Sequence, residues 1–200
     1  MENVGKFVIG IDPGLRNMAL TYFYVNAKGN VSIKKSILFP QECIISNLTD
    51  KEKTTKKRKK KKKTELDFTT LVKNYSKMLD SLLKKDVDVI GIERWMVRGR
   101  YGGAQSECVS LMIGILVEKC RKKKIPIHLL NAAVWKNKVN RNDKRLLEKL
   151  YNYSKKHFNL PPHYVDSFLQ GCYAANVDYS RVCKKSVLHL LAFVAGYTDK

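Results

Sequence analysis

The chain has 200 residues, 44% of them hydrophobic, which suits one α/β domain with a sizeable core and excludes a fibrous or wholly disordered protein. Its 39 Lys and Arg against 18 Asp and Glu give a net charge of +21, the balance expected of a protein that docks on a phosphate backbone, although a ribosomal or packaging protein would share it. Five cysteines (Cys43, Cys108, Cys120, Cys172 and Cys183) form no Cys-x-x-Cys pair, so neither a zinc site nor a disulfide framework is expected, and no apolar run reaches the roughly 18 residues of a membrane span.

Residues 1–6 carry no charged-then-apolar leader, so a soluble, intracellular protein is expected. The apolar run 7–11 reads as a central strand buried on both faces, and it ends on a lone carboxylate, Asp12, before a Pro-Gly turn. Burying that charge is costly unless a cation sits beside it. The alternative is that Asp12 simply accepts backbone N–H bonds in the turn. Residues 19–25 and 31–39 read as two further strands, joined at Lys28-Gly29-Asn30 into a meander with the first.

Residues 51–63 hold ten basic side chains and one acid. Their like charges repel and nothing apolar can be buried, so a disordered loop is predicted. A solvated insertion, a non-specific nucleic-acid contact and a nuclear localisation signal all fit it. Leu71, Met78, Leu79 and Leu82 then suggest an amphipathic helix. Residues 87–92 repeat the buried-strand pattern and end on Glu93. Two such strands, each delivering one carboxylate, can hold a hard divalent metal between them.

The loop after Glu93 contains Arg94, Trp95, Arg98, Arg100 and Tyr101 among glycines. Aromatics beside arginines suit stacking on unpaired bases and gripping phosphates, while Trp95 also fits a core position. A helix is predicted over 104–120, with Cys108, Leu111, Met112, Ile115, Leu116 and Lys119 at helical spacing. Residues 125–130 give a fifth strand. The basic stretch 135–145 reads as a second DNA-contact segment in which Lys136 and Lys138 best approach a scissile phosphate; a solvated helix face explains them almost as well. Asp143 is the one other acid competing for a ligand role, and its Asn-rich setting suits an N-cap. Pro161 and Pro162 suit a helix start, which sets His163 and Asp166 three apart on one face of its first turns. Taken alone, a His near a helix start such as His163 is more often a surface or capping residue. A last packing helix is expected over 185–196.

Val8-Ile9-Gly10-Ile11-Asp12-Pro13-Gly14, followed by Asn17 and Ala19, resembles the first motif of the RuvC-type Holliday junction resolvases, and Ile90-Gly91-Ile92-Glu93 resembles the second. His163 and Asp166 match the family's closing helix, where many members have two aspartates; His-x-x-Asp is similar to some bacterial resolvases and to the RuvC-like domain of CRISPR effector nucleases. The motifs span most of the chain, from Phe7 to about Ala175. The resemblance implies an α/β, RNase H-like fold with a mixed five-stranded sheet flanked by helices, forming a single domain over 1–200. It implies a metal-dependent endonuclease with Asp12, Glu93, His163 and Asp166 as catalytic and metal-binding residues. Two Mg²⁺ ions are implied, for which Mn²⁺ substitutes, with Asp12 bridging them, Glu93 on one side and Asp166 with His163 on the other.

The implied substrate is the DNA four-way junction, cut by paired nicks that leave 5′-phosphate and 3′-hydroxyl ends. Because a junction is nearly two-fold symmetric, a homodimer is expected, and in the family the helix matching 104–120 lies at the dimer interface. The same stripe would also simply cover the sheet. A large DNA virus, a phage or an organelle suits such a chain, with a nuclear, viral-factory or organellar compartment. Two other functions remain open on the sequence. One is another RNase H-like nuclease of transposase or RNA-cutting type; the other is a non-catalytic basic nucleic-acid-binding protein.

Overall fold

Runs of apolar residues with a period of two on each face turn the predicted strands into one sheet, and a computed structural model describes residues 5–14, 17–40, 68–83, 86–94, 103–141 and 143–196. Strands β1 (Lys6–Asp12), β2 (Asn17–Val25) and β3 (Val31–Pro40) form an antiparallel meander. The β2–β3 turn is built by Asn26, whose side-chain oxygen accepts the N–H groups of Lys28 and Asn30 at 2.9 Å each, with Gly29 at φ +79°. After helix α1 (Phe68–Leu82), β4 (Val89–Glu93) pairs parallel with β1. Helix α2 (Gly103–Lys123) then leads to β5 (Ile127–Leu130), parallel to β4. The order is β3-β2-β1-β4-β5, a mixed five-stranded sheet as expected. The tract 51–63 lies outside the described residues.

Among the described residues four helices follow: α3 (Ala132–Val139), α4 (Leu146–Phe158), α5 (His163–Ala174) and α6 (Tyr179–Val194). The basic stretch 135–145 is therefore a short helix and a turn. The last helix starts at Tyr179, earlier than the apolar pattern suggested, because the Tyr179 hydroxyl donates to the Leu169 carbonyl at 2.8 Å and anchors its first turn. Among the described residues, no helix is long and apolar enough to cross a membrane.

Alternation divides the core in two. Ile9, Ile11, Leu20, Ile90 and Ile92 face α1 and α2, where Leu79, Cys108, Met112, Leu116 and Cys120 bury against them. The stripe of α2 thus covers the sheet, while Leu111 stays 43% exposed. On the opposite face, Val8, Phe23 and Val89 pack against α5, with α3, α4 and α6 outside it. Helix α5 is buried at every residue from Val165 to Cys172, as a helix packed on all sides must be.

Three glycines set the distance between α5 and the sheet. Gly10 and Gly91 are register partners on β1 and β4. A Cβ on Gly10 would stand 1.7 Å from the Ser167 carbonyl oxygen, and one on Gly91 would stand 2.2 Å from the Gln170 carbonyl oxygen. Gly171 answers from the helix side, where a Cβ would reach the Phe23 ring at 2.7 Å and the Gly10 nitrogen at 3.0 Å. The helix backbone therefore lies directly on the strands. Beside this seam, Thr21 links the layers by hydrogen bonds to Ser167 (2.8 Å) and Ser36 (2.9 Å).

Because the obstructing atoms are backbone, Gly10→Ala or Gly91→Ala should cost about 3 kcal/mol or more of stability. Gly114, in α2 with nothing within 4 Å of an added Cβ, should instead gain about 0.5–1 kcal/mol as Gly114→Ala. Urea unfolding of the three variants checks both signs. An unchanged midpoint for Gly10→Ala would show that the seam is not tight.

Candidate functional site

Side chains alternate along a strand, so Asp12 shares the face of Val8 and Gly10, and Glu93 shares that of Val89 and Gly91. Both carboxylates consequently project on the α5 side, one step beyond the last registered pair, Ile11 and Ile92. Asp166 sits in the first turn of α5, immediately before Ser167, the first of the residues that touch the glycine seam. His163, three residues earlier, places its Nδ1 at 2.7 Å from Asp12 Oδ2. The four sequence-predicted residues are thus brought to one end of the sheet by β1, β4 and α5.

Three residues that the sequence reading missed hold these acids. Trp135, fully buried on α3, donates its indole N–H to Glu93 Oε2 at 3.0 Å. Gln170 accepts the Glu93 backbone N–H at 3.1 Å through Oε1 and turns its amide nitrogen to Glu93 Oε2 at 3.5 Å. Tyr151, on α4, donates its hydroxyl to Asp166 Oδ1. A signal for Gln170 was present, since it follows Asp166 by four residues and so shares its helix face. Trp135 was hidden inside a stretch read as DNA contact, and nothing in sequence marks Tyr151.

The charges are felt across the cluster. Burial, reinforced by the Asp12 and Glu93 carboxylates, pushes the Asp166 carboxyl up to about 7, against the lowering effects of Tyr151 and Lys136. His163 is raised by its hydrogen bond to Asp12 and by the Asp12 and Asp166 charges, against partial burial. Tyr151 is held above the ordinary phenol range, chiefly by burial and then by Asp166. Among the described residues, no group of three or more His, Cys, Asp and Glu side chains is arranged to hold a metal ion directly. Hydrogen bonds from His163, Trp135 and Tyr151 engage an oxygen of each acid instead. The chemistry of the donors nevertheless suits a hard divalent cation: three carboxylates, two of whose charges raise the third's pKa, are what such an ion neutralises.

The predicted DNA contacts separate. Lys136 is close enough to Asp166 to lower its carboxyl pKa. Lys138 points elsewhere, its ammonium 4.8 Å from the Tyr173 ring and 5.8 Å from the Tyr179 ring. Arg94 is exposed directly after Glu93, and its backbone N–H donates to the Leu130 carbonyl at 2.7 Å. Trp95, Arg98, Arg100 and Tyr101 lie outside the described residues. Asp143 stands just before α4, accepting the Arg145 N–H at 3.2 Å and pairing with Lys149 at 2.8 Å, but the N-cap position expected of it belongs to Arg145, which makes no side-chain cap bond.

Solved structures resemble this fold. Thermus thermophilus RuvC in complex with a Holliday junction substrate is 13% identical, with 87% of this chain and 94% of that one covered at a TM-score of 0.55. A second Thermus thermophilus RuvC structure is 15% identical, covering 87% of this chain and 95% of that one at 0.52. The yeast mitochondrial Holliday junction resolvase Ydc2 is 15% identical, covering 95% of this chain and 83% of that one at 0.54. This is the RuvC-like RNase H fold. No protein-family model and no curated protein matches the sequence.

The two shifted groups give the fold a pH dependence of one sign. Asp166 binds its proton more tightly folded than unfolded, so its contribution is present at low pH and is lost as pH rises through about 4 to 7. His163, also raised, contributes below about 6.5 and loses that contribution above it. In EDTA, thermal unfolding should therefore shift several degrees lower between pH 5 and pH 8, on the order of a few kcal/mol. Millimolar Mg²⁺ at pH 8 should reverse the shift. A melting point independent of pH would contradict the clustered acids.

Proposed function

We propose that this chain is a divalent-metal-dependent DNA endonuclease that resolves four-way junctions by paired nicks. The observation that carries the reading is the convergence of Asp12, Glu93 and Asp166, from β1, β4 and α5, into one charge-coupled cluster on the RuvC-like fold. A purely structural or binding role would not keep three acids together in a partly buried pocket, because their mutual repulsion destabilises the fold.

Asp12, Glu93 and Asp166 would hold magnesium or manganese, with His163 at the edge of the set. Bound divalent ions supply Lewis-acid activation of water and stabilisation of the departing 3′ oxygen. The protein's own groups prepare that chemistry. Trp135 and Gln170 orient Glu93, Tyr151 orients Asp166, and His163 orients Asp12. The His163 imidazole, whose pKa is raised by its hydrogen bond to Asp12, would offset the acids when protonated. Lys136, close enough to Asp166 to lower its pKa, would meet the phosphate whose ester bond breaks, and in-line attack would leave 5′-phosphate and 3′-hydroxyl ends.

Binding draws on the wider charge. A net charge of +21 favours the phosphate backbone irrespective of sequence, and exposed Arg94 adjoins the acidic cluster. Thermus thermophilus RuvC has been solved on a Holliday junction substrate, and the same class of substrate suits this chain. Two nicks across a two-fold symmetric junction require two centres, hence a homodimer. Exposed Leu111 on α2 is the apolar residue left over for such a contact after the rest of the stripe has packed on the sheet.

Asp12→Asn keeps the shape of the side chain and removes its charge. Cleavage of a synthetic four-way junction should fall on the order of 10³-fold or more, while gel-shift affinity stays within about two-fold. Parallel assays on linear duplex and RNA–DNA hybrid test substrate class, and near wild-type cutting by the variant would sink the assignment. Leu111→Lys should move sedimentation toward monomer and replace paired cuts in a cruciform plasmid with single nicks. A wild-type monomer that linearises the cruciform in one binding event would refute the dimer.

A further inference from the structure

Trp135 has no exposed surface, and a buried indole N–H must find an acceptor. Its acceptor is a carboxylate oxygen of Glu93 at 3.0 Å, a charge-assisted bond that is stronger and more directional than one to a neutral carbonyl. A closed chain of short connections fixes where the indole stands. Glu93 is the register partner of Leu130 across β4 and β5, and the Arg94 N–H binds the Leu130 carbonyl at 2.7 Å. The next residue, Asn131, caps α3 by accepting the Ala133 N–H at 2.9 Å, and its carbonyl accepts the N–H groups of Val134 and Trp135. The first turn of α3 then returns the indole to the carboxylate of Glu93. Gln170 approaches the same oxygen from α5, so donors on two helices aim at Glu93 Oε2.

We propose that Trp135 is a positioning residue whose indole N–H orients the Glu93 carboxylate for divalent-cation binding, an inference that rests on the endonuclease reading above. The ring does not touch nucleic acid, in contrast to the DNA-contact role its basic neighbours suggest. It also sets the register of α3, so that Lys136, with its ammonium 5.1 Å from the Trp135 ring, is presented toward Asp166.

The test is Mn²⁺ binding to the full chain without DNA, followed by the loss of the free-ion electron paramagnetic resonance signal. Trp135→Phe keeps an aromatic ring and removes the N–H; it should weaken Mn²⁺ affinity about 10- to 100-fold, as loss of a ligand-orienting partner does. Gln170→Met should weaken it in the same direction. Leu150→Ala, which truncates the same core cluster without touching Glu93, should lower the melting temperature and leave affinity unchanged. In a Glu93→Gln background, Trp135→Phe should cause no further loss, because its effect passes through Glu93. A folded Trp135→Phe protein with wild-type Mn²⁺ affinity, in a chain that still binds Mn²⁺ and cuts junctions, overturns the positioning role alone. A wild-type chain that binds no Mn²⁺ overturns the endonuclease reading and this inference with it.

Should Trp135→Phe fail to fold, the Trp95→Phe protein leaves Trp135 as the chain's one tryptophan. Its emission should then change with Mn²⁺ occupancy and stop doing so with Glu93→Gln. Occupancy without any emission change overturns the proposal.

Discussion

The close approach of α5 to β1 and β4 is the constraint on which the rest of the molecule depends. Gly10, Gly91 and Gly171 remove every side chain from the line of contact, so helix backbone meets strand backbone. Just upstream of that line, within one turn, the helix delivers Asp166 and His163 to the ends of the same two strands that carry Asp12 and Glu93. An alanine at Gly10 or Gly91 would move the helix outward by about the width of a methyl group, and the acids would separate with it. The seam is therefore a packing feature and a distance-setting device for the cluster at once.

The cluster opposes the stability that the seam provides. Asp166 is almost fully buried, and its carboxyl rises to about 7 because burial and two neighbouring carboxylates disfavour its charge. The fold tolerates this by giving each acid a donor from a different element: the His163 ring for Asp12, the Trp135 indole for Glu93 and the Tyr151 hydroxyl for Asp166. These donors do not abolish the repulsion; they fix the directions in which the acids face. Such rotational restraint suits the cation-binding role proposed above, since neutralisation would then be gained with little reorganisation.

The two faces of the sheet divide the remaining work. The face covered by α1 and α2 is an apolar layer of Ile, Leu, Met and Cys side chains, supported at its edge by the Lys119–Asp80 pair at 2.6 Å. The face covered by α3 to α6 carries the acids together with most of the polar side chains buried in the interior, including Ser167 and Gln170. Lys136 and Lys138, two residues apart on the short helix α3, consequently meet different surroundings: one faces the acids and the other lies over Tyr173 and Tyr179.

Much of this was legible in the chain itself. Apolar runs ending on a single acid, a Pro-Pro helix start and a Lys-Gly-Asn turn are local signals, and they located β1, the meander turn, β4 and the head of α5. Spacing alone placed Asp12, Glu93, His163 and Asp166 at strand ends and on one helix face. What sequence could not determine was which distant side chains would reach those acids. Trp135 and Tyr151 lie 42 and 15 residues from their partners, and their neighbours mark them only as part of a basic or amphipathic helix. Their roles arise when α3 and α4 pack over α5, because a buried indole or phenol takes whatever acceptor tertiary packing presents. Likewise, periodicity defined the stripe on α2, but only the packed sheet decided that Cys108, Met112, Leu116 and Cys120 turn inward while Leu111 does not, since a helical pattern gives relative angles and the neighbouring layer sets the absolute one.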